Sequence, residues 1–254
     1  MSADVAVIIP TLRRPDSLER AVRSGLAQTG VADRLREIVV VDNDPQASSR
    51  DATARLAAAS AVPIIWRHAP RPGVATARNA GLAATSAPLI AFLDDDEAAS
   101  PGWLAALLAA QAATGADAVF GPIRGRVPDG TGWTRPYLER FFGREGPAQT
   151  RLIEAPYGCG NALLVRATAL PGDAPFNVAA DQSGGEDDAL FAGLAARGGG
   201  GLARPLAVGE GARQGVAERG PMRRGELVDP GVGGPAEAAA ARCETCEQGV
   251  VLSA

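Results

Sequence analysis

Through roughly the first 95 residues, apolar positions fall in short unbroken blocks, each closed by proline or by acids. Residues 5–9, 38–41 and 89–93 are continuous apolar runs, the pattern of strands covered on both faces, since a strand with one wet face would alternate. Residues 62–66 form a fourth run, interrupted by Pro63. Between the blocks the period changes. Leu18, Ala21, Val22, Gly25 and Leu26 follow Pro15 at i, i+3, i+4, i+7 and i+8, and Val74, Ala77, Arg78, Gly81 and Leu82 repeat that spacing, which predicts amphipathic helices. An alanine-rich stretch through Leu56 supplies a third helix. Four strands alternating with three helices predict a right-handed, mostly parallel, open and twisted α/β sheet flanked by helices.

The pattern continues less regularly. Ser100 and Pro101 read as N-cap and first helical residue of a helix running to Ala113, and residues 117–121 read as a strand. Periodicity weakens from Pro122 to Ala155, apart from a short helix over 136–142, which suits a substrate-facing region better than scaffold. Residues 162–165 form another strand, and Gly184-Gly185-Glu186-Asp187-Asp188 opens a helix carrying Leu190 and Leu194. Beyond Arg213 the chain is rich in Gly, Ala, Pro and Arg with little periodicity, and is expected to pack poorly.

Composition narrows the classes. A net charge of −4 and a pI near 5.2 argue against nucleic acid as a partner. The start lacks a basic region and its apolar run is too short for a signal peptide or membrane span, so a cytoplasmic location is expected. Cys159, Cys243 and Cys246 make no disulfide framework. Cys243 and Cys246 lack the second ligand pair of a zinc site. His68, the single histidine, lies in a proline-rich loop and is assigned no role.

Chemistry concentrates at the strand ends. Residues 89–93 run into Asp94-Asp95-Asp96-Glu97, and clustered carboxylates repel unless a cation sits among them. Magnesium or manganese suits carboxylates combined with substrate phosphates. Asp42 ends another strand and Pro10-Thr11 end the first, so in a parallel sheet all three strand ends face one crevice. Backbone groups after the first strand and Asp42 would read a nucleobase, Asp94 a ribose, and Asp96 a metal on a diphosphate. For Asp42 the competing reading is an Asx turn; for the acid run it is compensation of a helix dipole, though Ser100-Pro101 already takes the cap.

Five blocks in order, Val7-Ile8-Ile9-Pro10-Thr11, Ile38-Val39-Val40-Val41-Asp42, residues 73–82 with Arg78-Asn79, Ala91-Phe92-Leu93-Asp94-Asp95-Asp96, and Gly184-Gly185-Glu186-Asp187, together resemble family 2 glycosyltransferases of the GT-A fold. Pro101-Gly102-Trp103-Leu104 extends the match, which covers about residues 4 to 210. The resemblance implies a glycosyltransferase domain over 1–212, with a nucleotide-sugar half (1–120) and an acceptor half (121–212), followed by a poorly ordered tail (213–254). It implies an inverting, metal-dependent transfer from a nucleoside diphosphate sugar, a UDP-sugar in the first instance, to a saccharide or lipid-linked saccharide in bacterial cell-surface polysaccharide synthesis, with peripheral association at the inner membrane face.

Asp187 matches the catalytic base. Pro10, Thr11, Asp42, Arg78, Asn79, Asp94 and Asp95 fall on the donor side, Gly160, Asn161 and Glu186 on the acceptor side, and Asp96 at a Mn2+ or Mg2+ ion. Where many members carry a metal-binding histidine, this chain has Glu210, a further candidate ligand. A non-catalytic nucleotide-sugar-binding or interaction protein of the same fold is the alternative of a different class. A pyrophosphorylase would want glycine and basic residues after the first strand, and a Rossmann dehydrogenase a G-x-G-x-x-G there; Pro10-Thr11-Leu12-Arg13-Arg14 supplies no glycine.

Overall fold

The computed structural model of the chain describes residues 4–127, 132–146, 149–153, 158–197, 206–208 and 217–219. The first half alternates as expected: β1 (Val5–Thr11), α1 (Pro15–Leu26), β2 (Leu35–Asp42), α2 (Arg50–Ala58), β3 (Ile64–His68), α3 (Val74–Ala83) and β4 (Leu89–Leu93). There follow β5 (Glu97–Ala99), α4 (Trp103–Thr114), β6 (Ala118–Phe120), β7 (Ile123–Gly125), α5 (Arg135–Phe142), β8 (Arg151–Ile153), β9 (Asn161–Val165), α6 (Arg166–Ala169), α7 (Glu186–Arg197), β10 (Leu206–Val208) and β11 (Ala217–Arg219).

Eight strands make one sheet in the order β3-β2-β1-β4-β9-β6-β10-β8. The four strands from β3 to β4 run parallel, whereas β9 is antiparallel to both β4 and β6. The small sheet β5-β11-β7 lies apart in pairing. Two apolar layers cover the main sheet, and the alternation of strand side chains assigns residues to each. Val5, Val7 and Ile9 join Leu18, Val22, Trp103 and Leu107 on one face. Ala6 and Ile8 join Ala77, Leu82, Phe176 and Phe191 on the other. Full coverage on both faces is why these strands are continuous apolar runs.

Two expectations change. The third strand lies two residues later than residues 62–66, because Pro63 cannot donate to the ladder and serves instead as an acceptor for the Ile38 amide. The helix after the acids does not begin with a Ser100 cap and Pro101. Residues 97–99 are tied into a sheet as β5, so the chain must turn first, and α4 starts at Trp103 behind Gly102 with no cap from that residue's side chain. Its cap comes from elsewhere: Gln28, just past α1, accepts from the Leu104 amide at 2.9 Å and donates to the Ser100 carbonyl at 2.8 Å. β11 pairs with β5 and β7, and the compact unit spans Met1–Pro221; a second unit, Met222–Ala254, lies outside the described residues, as do the Cys243 and Cys246 pair and most of the expected tail. No helix among the described residues is long and apolar enough to cross a membrane.

Gly81 lets α3 lie close on the sheet: a Cβ there would stand 2.5 Å from Ile8 Cγ2 and 3.1 Å from Val41 Cγ2. Alanine would gain about 1 kcal/mol of helix propensity but force apart a packed layer at about 1–3 kcal/mol. Gly81→Ala is therefore expected to destabilise the protein, read as a lower urea midpoint with an unchanged slope; a raised midpoint would show that α3 moves freely on the sheet.

Candidate active site

The acid run leaves β4 in a turn, the Glu97 amide donating to the Asp94 carbonyl at 3.1 Å, and the turn sends its carboxylates in different directions. Asp95 turns into the protein, where Thr11 Oγ1 donates to it at 2.7 Å and Arg14 Nη1 at 3.1 Å. Burial leads in pushing its pKa up to about 6, against the opposing pull of Arg14 and Thr11. Asp95 thus joins the ends of β1 and β4 and, as the structure stands, offers little surface to a donor. Asp94 and Asp96 group with Glu97, one carboxylate oxygen from each lying within 4.8 Å of the others. Magnesium–oxygen bonds of about 2.0–2.1 Å place opposite ligands roughly 4.2 Å apart, so these three hard donors could close on one small divalent cation with a shift of a few tenths of an ångström. Glu97, fully buried in β5, carries no local signal of its own in the sequence; its place beside the other two comes from the fold.

The loop after β2 is tightly braced. Asp42 is fully buried; it accepts from the Ser49 amide and hydroxyl at 2.7 Å each and from the Asp44 amide at 3.1 Å. The last bond is the Asx turn. Asp42 therefore shapes the crevice wall rather than lining it. Asn43, unremarked in the sequence, reaches across to the Ala69 and Arg71 carbonyls at 2.7 and 2.8 Å and accepts from the Gly73 amide at 2.7 Å. It thereby places the start of α3. The Thr11 carbonyl accepts from the Asn43 amide at 2.8 Å, so the end of β1 belongs to the same brace. His68 stacks on Trp66 and bonds to the Asp44 carbonyl, consistent with a structural part.

Arg78 stands at the centre of the crevice floor. Only 5% exposed, it meets Glu186 at 2.5 Å and approaches Asp94 at 3.8 Å, and its guanidinium lies 5.5 Å from the Phe176 ring centroid. Burial would lower its pKa, but the nearby Cys159, Asp94, Glu186 and Asp187 outweigh that and leave it raised. Glu186, expected on the acceptor side, is buried and holds this arginine instead. Asn79 turns the other way and clips the Phe176 backbone at 2.7 and 3.1 Å; of the Arg78-Asn79 pair only Arg78 reaches the crevice. Asp181, which no sequence pattern marked, accepts from the Ala75 amide at 2.8 Å and Thr76 Oγ1 at 2.6 Å, capping α3 from a distant loop. A Cβ on Gly73 would overlap that carboxylate.

Asp187, one residue on from Glu186, turns toward the cleft at the first turn of α7. The Cys159 amide donates to Oδ2 at 3.1 Å and the Asp188 amide to Oδ1 at 3.0 Å. The strip Gly158-Cys159-Gly160 runs between Asp187 and Asp94. A Cβ on Gly160 would overlap the Asp94 carboxylate, and one on Gly158, at φ 92°, would stand 2.6 Å from Arg144 Nη1 and 3.1 Å from Asp187 Oδ2. Gly160 thus serves by having no side chain. The intervening Cys159 thiol is fully buried, its pKa pushed up to about 12 chiefly by burial, so it is no nucleophile. Asn161 is a packing residue: Trp103 Nε1 donates to it at 2.6 Å and it donates to the Pro122 carbonyl at 2.9 Å.

Arg78, Asp94, Arg144, the strip 158–160 and Asp187 line an open cleft of roughly 330 Å³. Arg144 came from the stretch with no periodicity and left no signal in the sequence. Glu210 lies outside the described residues.

Residues 6–171 match the model of the family described as Glycosyl transferase family 2. Succinoglycan biosynthesis protein ExoM of Rhizobium meliloti is 36% identical over 192 residues, 74% of this chain and 60% of that protein. Glycosyltransferase AglE of Haloferax volcanii is 28% identical over 126 residues, 50% of this chain and 41% of that protein. This chain thus aligns with 60% or less of the length of either relative. Among solved structures, S. aureus TarS 1-349 in complex with UDP has a TM-score of 0.61, covering 86% of this chain and 60% of that one at 15% identity. The likeness carries the fold, an open mostly parallel sheet of GT-A type. With more than half of its length matched by the family, and with the ordered strand-end acids in place, the chain belongs to glycosyl transferase family 2.

Proposed function

We propose that the protein is an inverting, metal-dependent glycosyltransferase that moves a sugar from a nucleoside diphosphate to a hydroxyl of a saccharide or lipid-linked saccharide. The observation that carries this reading is the placement of Asp94 and Asp187 on opposite sides of the strip 158–160, one within a carboxylate triad and the other at a helix start. Single displacement at a sugar carbon needs those two stations on opposite faces of one small cleft. A nucleophilic side chain is not required, and the buried Cys159 thiol is unsuited to be one.

The donor's base and ribose are assigned to the crevice at the ends of β1 and β2, whose wall Pro10, Thr11 and Asp42 build, and Asp94 to the ribose. Asp94, Asp96 and Glu97 would hold Mn2+ or Mg2+, which supplies neutralisation of the charge on the departing diphosphate. Asp187 takes the proton of the acceptor hydroxyl as its oxygen bonds to the anomeric carbon. The bond from that carbon to the diphosphate breaks, and its electron pair leaves on the phosphate oxygen. The two amides donating to Asp187 hold the carboxylate in position for this, and Arg78 keeps Glu186 from competing for the proton. A uridine nucleotide is favoured by the structural likeness to TarS in complex with UDP and UDP-GlcNAc. A role in polysaccharide synthesis is favoured by the likeness to ExoM.

A hydrolysis and transfer screen over common nucleotide sugars, with and without manganese, tests the reading directly. Turnover with at least one UDP-sugar is expected, lost on chelation; no turnover and no nucleotide-dependent thermal shift with any donor would sink it. Asp187→Asn should reduce turnover by about 10²–10⁴-fold while leaving the UDP–manganese thermal shift intact. If the parent binds UDP but never turns over, the protein is a binding module of this fold. Asp96→Ala should abolish the manganese dependence of that shift. In Gly160→Ala the displaced Asp94 carboxylate should lower kcat/KM by about 10²-fold, with the melting temperature nearly unchanged.

A further inference from the structure

Helix α5 is built unlike the others. None of its residues is buried. It is attached through its backbone: Gly125 in β7 lies so close to the Glu139 carbonyl that any Cβ would overlap it, and Gly143 donates to the same carbonyl at 2.9 Å. Its large apolar side chains face out. Tyr137 and Phe141, four residues apart, share one side of the helix and are 70% and 68% exposed; Trp133, in the single 3-10 turn Gly132–Thr134 that leads into α5, is 93% exposed. The Tyr137 and Phe141 rings stack at 6.3 Å. Three aromatic residues grouped on a water-facing side mark a contact surface rather than chance exposure.

The charges around this face indicate what it meets. Residues 123–127 and 132–146 carry five arginines and two glutamates, in a chain of net charge −4. Glu139 is already neutralised by Arg135 at 2.8 Å. Arg140 is exposed and has no ion pair among the described residues, whereas the Arg144 guanidinium turns to the cleft. An outward row of Trp, Tyr and Phe beside arginines matches the level of a bilayer where aromatic rings sit among headgroups and cations meet anionic lipids.

We propose that the outward face of residues 133–141 docks on an anionic membrane surface. The segment leads directly from that face to the cleft. Two residues past α5, Arg144 is pinned to Ile123 by reciprocal backbone bonds of 2.9 and 2.7 Å, and its guanidinium lies over Gly158 beside Asp187. Docking through α5 would therefore hold the mouth of the cleft at the headgroup level, where a lipid-linked acceptor presents its sugar. That consequence rests on the proposed transferase activity; the docking itself does not.

The full chain, mixed with vesicles of phosphatidylcholine alone or with phosphatidylglycerol, is expected to co-sediment with the anionic vesicles only, and less so as salt rises. Replacing Trp133, Tyr137 and Phe141 together by serine should lower partition on the order of tenfold, with the melting temperature and the UDP–manganese shift retained. Intrinsic fluorescence gives a second reading, because Trp103 is buried and Trp133 is the most exposed of the three tryptophans. A blue shift on adding anionic vesicles should vanish in Trp133→Phe. The proposal is overturned if the parent stays in the supernatant, or if the triple variant partitions like the parent. It is equally overturned if sedimentation equilibrium shows a parent dimer that the triple variant loses while neither binds lipid, since the face would then be a contact between copies. Loss of nucleotide binding in the parent would count against the transferase reading alone.

Discussion

A single buried guanidinium sets the geometry on which the cleft depends. Arg78 is carried by α3, paired to Glu186 at the start of α7, and near Asp94 at the end of β4. Removing a cation and a carboxylate from water costs several kcal/mol per ion, so such a pair is poor evidence for stability. What it supplies is position. Because Glu186 is drawn inward to the arginine, the next residue along the helix, rotated by about 100°, is turned into the cleft. Asp187 owes its orientation to its neighbour's ion pair.

That arrangement is supported by parts that do no chemistry. Asp181 caps α3 and Asn43 holds the residue before it, so the helix bearing Arg78 is fixed at its start by two distant loops. Glycines do the complementary work of leaving room. Gly160 admits the Asp94 carboxylate, Gly158 admits Arg144 and Asp187, and Gly81 brings α3 down onto β1 and β2. The acid run shows how one turn can serve two ends: Asp95 ties β1 to β4 while Asp94 and Asp96 remain with Glu97.

Much of the scaffold was legible because its signals are local. Continuous apolar runs gave β1, β2 and β4 in place, and a four-residue spacing gave α1 and α3, since burial on two faces or on one stripe leaves a periodic mark. Pairing between distant segments leaves none. Residues 97–99, 123–125 and 217–219 are three-residue strands that exist by virtue of one another, and the Gln28 cap of α4 joins residues that no local pattern links. The Ser100-Pro101 cap failed for this reason: a locally correct motif was overridden by β5.

Sequence alone placed the acids after β2 and β4 at one strand-end crevice, because parallel strands put their carboxyl ends on the same side; the arginine of α3 and the acids of α7 were added only by the resemblance to family 2 glycosyltransferases. The division of labour within each group was decided only in three dimensions. Asp95 and Asp42 turned into the walls, Asn79 onto Phe176, Asn161 onto Trp103 and Glu186 onto Arg78, while Glu97, Asp181 and Arg144 came into the site or its supports unannounced. A carboxylate or amide has the same letter whether it faces solvent, a cation or a backbone amide. Which it meets depends on packing between segments far apart in the chain, and on the desolvation that forces each buried polar group to find its partner there.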